Sequence, residues 1–226
     1  MRAGTVLVTG ANRGLGLEFG RQYAADGWRV IACCRAPKDA PELKKIKAEV
    51  HALDVTSQDS IQHLAKALNG APVDVLINNA GLHGDRRMFG ETDVALWKQI
   101  FEVNTIAPVQ ILSALLENVA ASHHKKVVNL TSKVGSIGDS PSGGSYGYRS
   151  SKTALNMAMV NAAHELKNRG ITILLIHPGW VQTDMGGPTA PVAIEQSITG
   201  IRRIIDKATP AETGHFYDYT GKQLPW

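Results

Sequence analysis

Short, continuously apolar runs recur along the chain at 5–8, 29–34, 49–53, 73–77, 125–130 and 171–176, with a further short run at 215–217. Between them lie longer stretches, 15–26, 57–68, 93–122, 146–169 and 193–208, in which apolar residues return at three- and four-residue intervals, the spacing of one helix face. A strand with one wet face alternates apolar and polar residues, whereas a strand covered on both faces is apolar throughout. The runs therefore predict parallel strands joined by crossover helices. The expected fold is α/β, a Rossmann-type doubly wound parallel β-sheet of about seven strands with helices on both faces. A chain of 226 residues suits a single domain over 1–226. Stretches rich in Gly, Pro and Ser at 135–145 and 184–191 follow predicted strands. Ligands bind beyond the carboxyl ends of such strands, so these loops should border the site, with 184–208 as a short substrate-side segment.

Composition narrows the classes. With 43% hydrophobic and 19% charged residues and no biased tract, disorder, collagen and coiled coil are excluded. No apolar run reaches the roughly 18 residues of a membrane span, and the first residues enter a strand-like run, which leads us to expect a soluble, cytoplasmic protein without a membrane partner. Cys33 and Cys34 are adjacent, unsuited to an ordinary bridge, and no CxxC or Cys/His spacing suggests a metal, so none is expected. The net charge of +4 is spread along the chain apart from pairs such as Arg86-Arg87, and no nucleic-acid motif accompanies it. An anionic small molecule is the better partner for that charge.

The loop after the first strand reads Gly10-Ala11-Asn12-Arg13-Gly14-Leu15-Gly16 and opens the first helix. Glycines there let backbone approach a pyrophosphate, and the helix N-terminus offers unpaired N–H groups. The spacing departs from G-x-G-x-x-G, and a glycine turn for tight helix–strand packing would read the same way. At the end of the second strand, where an NAD site places Asp or Glu, stand Cys34 and Arg35. A carboxylate would repel the 2′-phosphate of NADP, while Arg35, and Arg13 from the glycine loop, could grip it, so NADP(H) is preferred over NAD(H) unless both arginines are merely solvated.

Tyr148 and Lys152 stand at i and i+4 on one predicted helix face, and Tyr146 has no lysine so placed. A cation beside a phenol favours phenolate, bringing a group with an ordinary pKa of about 10 toward acid–base work near neutrality. Taken in order, the glycine loop, Asp54, Asn78-Asn79-Ala80-Gly81, Asn104, Ser132, Tyr148, Lys152 and Pro178-Gly179 resemble the classical short-chain dehydrogenase/reductase family. The resemblance is strongest to the branch of carbonyl reductases, Sniffer and C-factor, through the loop, the Cys34-Arg35 pair and the ending Tyr217 to Trp226.

That resemblance implies an NADP-dependent oxidoreductase acting on a small carbonyl or alcohol substrate. Tyr148 would exchange a proton with the substrate oxygen and Ser132 would orient that oxygen. Lys152 would hold the nicotinamide ribose and depress the Tyr148 pKa, and Asn104 would hold a water joining Lys152 to solvent. Asp54 and Val55 would meet the adenine side of the cofactor. Asn78, Asn79, Ala80 and Gly81 would support the central strand and the cofactor, and Pro178, Gly179, Val181 and Thr183 would flank the nicotinamide. A homodimer or homotetramer is implied. A regulatory NAD(P)-binding protein of the C-factor type is the alternative. Ser132 and Tyr148 are spaced more widely than is common in the family, which implies an enlarged loop between them. Tyr217, Tyr219 and Trp226 are left open between pocket wall, core and interface.

Overall fold

The structure, a computed structural model, describes residues 2–84 and 86–226. In chain order the main elements are β1 (Thr5–Thr9), α1 (Gly14–Ala25), β2 (Arg29–Cys34), α2 (Pro41–Lys45), β3 (Glu49–Ala52), α3 (Gln58–Leu68) and β4 (Val75–Asn78). They continue as α4 (Val94–Phe101), α5 (Ala107–Ala114), α6 (Leu116–Ala120), β5 (Lys126–Leu130), α7 (Tyr146–Leu166), β6 (Thr172–His177), α8 (Ile194–Lys207) and β7 (His215–Asp218). The seven strands form one parallel sheet in the order β3-β2-β1-β4-β5-β6-β7. The chain runs outward from β1 to β3, then crosses back to lay β4 against the other side of β1. The carboxyl ends of β1 and β4 thus flank the crevice where the winding reverses, the usual ligand position in such sheets.

Side-chain alternation explains why the strands read as unbroken apolar runs. Leu7, Ile31, Leu76, Val127 and Ile173 face one layer, built with Ile61, Leu64, Ile111, Leu155 and Met159 from α3, α5 and α7. Their neighbours Val6, Val8, Val30, Ile77 and Leu174 face the other, packed on Phe19 and Tyr23 of α1 and Ile198 and Ile201 of α8. Successive residues of a strand point to opposite faces, so two buried faces demand apolar residues at both.

The single helix expected over 93–122 is broken. After α4 the backbone makes a π-helical turn, Glu102–Ile106, in which the Ala107 N–H bonds the Glu102 carbonyl five residues back. Pro108 follows and has no N–H, so the register resumes with a carbonyl skipped, and Leu115 separates α5 from α6. Apolar periodicity is blind to such a slip, because the buried side of the helix is unchanged. A 3-10 turn at Pro37–Asp39 and α2 also occupy what the sequence suggested was a plain connection. At the start of α3 the Ser57 hydroxyl accepts the Ser60 N–H at 3.2 Å and caps the helix.

After β7 the chain turns at Asp218, whose carboxylate accepts the N–H groups of Thr220 and Lys222. It then returns antiparallel, with Tyr217 opposite Gln223 and the Leu224 N–H donating to the Phe216 carbonyl at 2.8 Å. Among the described residues no helix is long and apolar enough to cross a membrane.

Candidate active site

The glycine loop is shaped by backbone that side chains would obstruct. Gly10 and Gly14 have φ of 63° and 52°, in the left-handed region. A Cβ on Gly16 would collide with the Gly10 carbonyl and the Asn79 amide, so that glycine lets α1 close against the loop. Asn79 fixes the turn by donating to the carbonyls of Thr9 and Gly10 at 2.8 and 3.0 Å, while Thr9 Oγ1 accepts the N–H groups of Asn79 and Ala80, each at 3.1 Å. Asn79 belongs to the Asn78-Asn79-Ala80-Gly81 motif, and its grip on the glycine loop is what the structure adds. Unlike α3 and α4, capped by Ser57 and Asp93, α1 has no side-chain cap, and its first turn carries no acid. Its leading N–H groups are therefore available to an anion.

That helix end opens on a cleft of about 910 Å³ along the carboxyl ends of the strands. Gly10, Asn12, Arg13, Gly14, Leu15, Arg35 and Val55 line it from the first strands, and Ala80 and Gly81 from the end of β4. Tyr148 and Lys152 reach it from α7, and Pro178 and Thr183 from the segment after β6. The other expected residues stand behind this wall. Asp54 turns its carboxylate onto the Thr56 N–H and hydroxyl at 3.0 and 2.7 Å, which holds it below the usual carboxylate range. Asn78 is buried and donates to Asn129 of β5 at 2.9 Å. Gly179 lies close over the Tyr219 ring, and Val181 pairs with Val192.

At the centre, Tyr148 and Lys152 share the first turns of α7. Lys152 is buried, donates through Nζ to the Leu130 carbonyl at 2.8 Å, and has its pKa brought down to about 8 by desolvation. Its Nζ lies 5.8 Å from the centroid of the Tyr148 ring. Burial raises the phenol pKa, against an opposing hydrogen bond with Ser132. The upward direction comes from desolvation, with no contribution from Lys152 in this arrangement. Ser132 Oγ also accepts the Val134 N–H at 3.4 Å.

Asn104 lies inside the π turn and is fully buried. Its side-chain amide donates to the Leu82 carbonyl at 2.8 Å and to Ser151 at 3.0 Å, and accepts the Leu82 N–H at 2.8 Å. The side chain is thus occupied in joining the loop after β4 to α7, while Pro108 withholds the donor that the Asn104 main-chain carbonyl would meet in an α-helix.

Two neighbours were missed in the sequence. His83 stacks on Tyr148, ring centroids 4.5 Å apart at 28°. Asp184 pairs with Arg13 at 3.0 Å across the mouth of the cleft, both side chains well exposed. Among the described residues no group of three or more His, Cys, Asp or Glu is placed to hold a metal ion.

The family model described as short chain dehydrogenase matches residues 4–191. The chain is a short-chain dehydrogenase/reductase. Among relatives of this short-chain dehydrogenase/reductase, the C-signal of Myxococcus xanthus is 43% identical over 69% of this chain and 93% of its own length. The 1-hydroxy-2-glutathionyl-2-methyl-3-butene dehydrogenase of a Rhodococcus species is 37% identical over 98% of this chain and 99% of its own. Among solved structures, the NADPH-bound carbonyl reductase from chicken fatty liver superposes with a TM-score of 0.92 over the whole of both chains at 31% identity. The fold and the carbonyl-reductase branch of this short-chain dehydrogenase/reductase are those expected from its motifs, and with the family comes oxidoreduction of a small molecule with a nicotinamide cofactor.

Proposed function

We propose that the enzyme transfers a hydride between NADPH and a small carbonyl or alcohol substrate, with Tyr148 as general acid and base. The observation that carries this reading is the sharing of one cleft by the uncapped N-terminus of α1 and the Tyr148/Lys152 pair. The donor set fits a dinucleotide: free helix N–H groups and close-packed glycines for a pyrophosphate, Arg13 and Arg35 for a 2′-phosphate, and a buried ammonium for a ribose.

When bound, the nicotinamide supplies or accepts the hydride. In the reductive direction the Tyr148 hydroxyl gives its proton to the substrate oxygen, and the burial that keeps this phenol protonated suits that step. The Ser132 hydroxyl donates a hydrogen bond to the same oxygen. Lys152 has three N–H donors, one of them engaged by Leu130, and turns the others toward the ribose. The Asn104 main-chain carbonyl holds a water that connects Lys152 to solvent. Residues 184–208 form the substrate-side wall. A panel of carbonyls assayed with NADPH and with NADH tests the reading. Tyr148→Phe should lose about 10²–10⁴-fold in turnover while NADPH still binds, and near-full activity in that variant would refute the assignment.

A regulatory role in place of turnover is the second reading, supported by the 43% identity to C-signal. The presence of Asn104, Ser132, Tyr148 and Lys152 together favours catalysis. For assembly, exposed Ile106 and Met157, on segments that pack together, offer an apolar face to a second copy of the chain, which sedimentation would reveal.

A further inference from the structure

We infer that the segment Leu224 to Trp226 is a positioning clamp for the loop that carries Ser132, with Trp226 as its anchor. This rests on the reductase reading above and adds a residue outside the cleft to the machinery it needs.

The clamp has two ends. At one, the Trp226 indole stacks on Phe216, ring centroids 5.5 Å apart at 22°, and Phe216 is fully buried in β7. The hydrogen bond from Leu224 N–H to the Phe216 carbonyl holds the backbone there as well. At the other, the Trp226 carbonyl accepts the Gly138 N–H at 2.7 Å. A Cβ on Gly138 would stand 3.0 Å from that carbonyl oxygen and 3.7 Å from Pro225 Cβ, so the approach depends on glycine.

From Gly138 the contacts lead back to the reacting groups. The Asp139 N–H donates to Ser136 Oγ at 3.0 Å, and the N–H groups of Ser136 and Gly135 close onto the carbonyls of Lys133 and Ser132, each at 2.9 Å. On its far side the same turn rests on α7: Thr153 Oγ1 donates to the Gly135 carbonyl at 2.9 Å, and a Cβ on Gly135 would come within 2.9 Å of Lys152. The turn bearing Ser132 is therefore gripped between the helix that carries Tyr148 and Lys152 and the returning segment on β7. Without the second grip, the long connection from Gly138 to Tyr148, with its Pro and Gly residues, would leave the Ser132 hydroxyl held from one side only.

The test compares the full chain with Trp226→Ala, Trp226→Phe and Gly138→Ala, with Tyr148→Phe as the control for the reductase reading. We expect Trp226→Ala to lower kcat roughly tenfold, since small misplacements at a reacting centre reach about 10²-fold. NADPH affinity, measured by calorimetry, should stay unchanged, and Trp226→Phe, which keeps a stacking ring, should restore kcat. Hydrogen exchange of the amides at 134–139 should quicken in Trp226→Ala. Gly138→Ala crowds the same carbonyl from the other side and should give the same selective loss, which covers a failure of Trp226→Ala to fold. Wild-type kcat in both alanine variants, an equal loss of kcat and NADPH affinity, or unchanged exchange at 134–139 would each overturn the proposal. If the wild-type chain reduces no carbonyl, the reductase reading fails and the exchange measurement alone decides the clamp.

Discussion

Lys152 is an ammonium placed where water is scarce, and its pKa near 8 brings its change of charge close to neutrality. On the proposed mechanism, reduction needs the phenol of Tyr148 protonated and Lys152 charged toward the ribose. The rate of reduction should therefore hold through neutrality and fall as pH climbs past about 8. A pH–rate profile would show that limb, and Lys152→Arg, which stays charged, should lack it whatever its overall rate. Alcohol oxidation needs the phenol as a base and, with that group raised by burial, should rise only above the interval in which Lys152 loses its charge. On the proposed reading the cofactor choice falls to Arg35. Replacing it with Asp removes a charge-assisted contact of about 1.5–3 kcal/mol and adds repulsion, so kcat/KM with NADPH should drop about 10- to 100-fold relative to NADH; an unaltered ratio would remove Arg35 from the phosphate site. These residues were legible in the sequence because acid–base and phosphate chemistry fix residue types at short spacings, as in Tyr148 with Lys152. Asp184 was not, since it meets Arg13 across 171 positions of chain and has no local pattern of its own. His83 was hidden for the same reason: its stacking on Tyr148 depends on which strand end lies beside α7.

At the scale of elements, the π turn shows where periodicity fails. The 93–122 stretch keeps its apolar face, so the sequence reads as one helix, yet the backbone slips a residue at Asn104 and Pro108 restarts it. With Pro108 following, the Asn104 main-chain carbonyl lacks the N–H it would meet in an α-helix. Pro108→Ala would supply an N–H to that carbonyl, and we expect turnover to fall several-fold without loss of NADPH binding; unchanged turnover would separate the carbonyl from catalysis. Strand positions were legible because two covered faces demand unbroken apolar runs, and helix starts because caps are local. Ser57→Ala removes the cap of α3 and should cost about 1 kcal/mol in chemical unfolding, with activity unaffected.

For the molecule as a whole, the cleft runs along the strand ends between segments far apart in sequence, so a ligand filling it ties the two halves of the sheet together. NADPH at 100 times its dissociation constant should add about 2.7 kcal/mol of stability, which for a chain of this size raises Tm by roughly 5–10 °C. A thermal melt in the presence of each cofactor would measure both this shift and the preference between them. The antiparallel return after β7 has a consequence beyond the active site. An outer strand with unpaired amides is a template onto which another chain can crystallise its own backbone, the first step toward fibrils. Here Gln223 and Leu224 already occupy that template at one border of the sheet. At the other border Glu49, tied to Arg29 at 2.6 Å, places charge along β3. One border of the sheet is partly covered and the other carries charge, two devices that discourage strand-on-strand recruitment between copies of this chain.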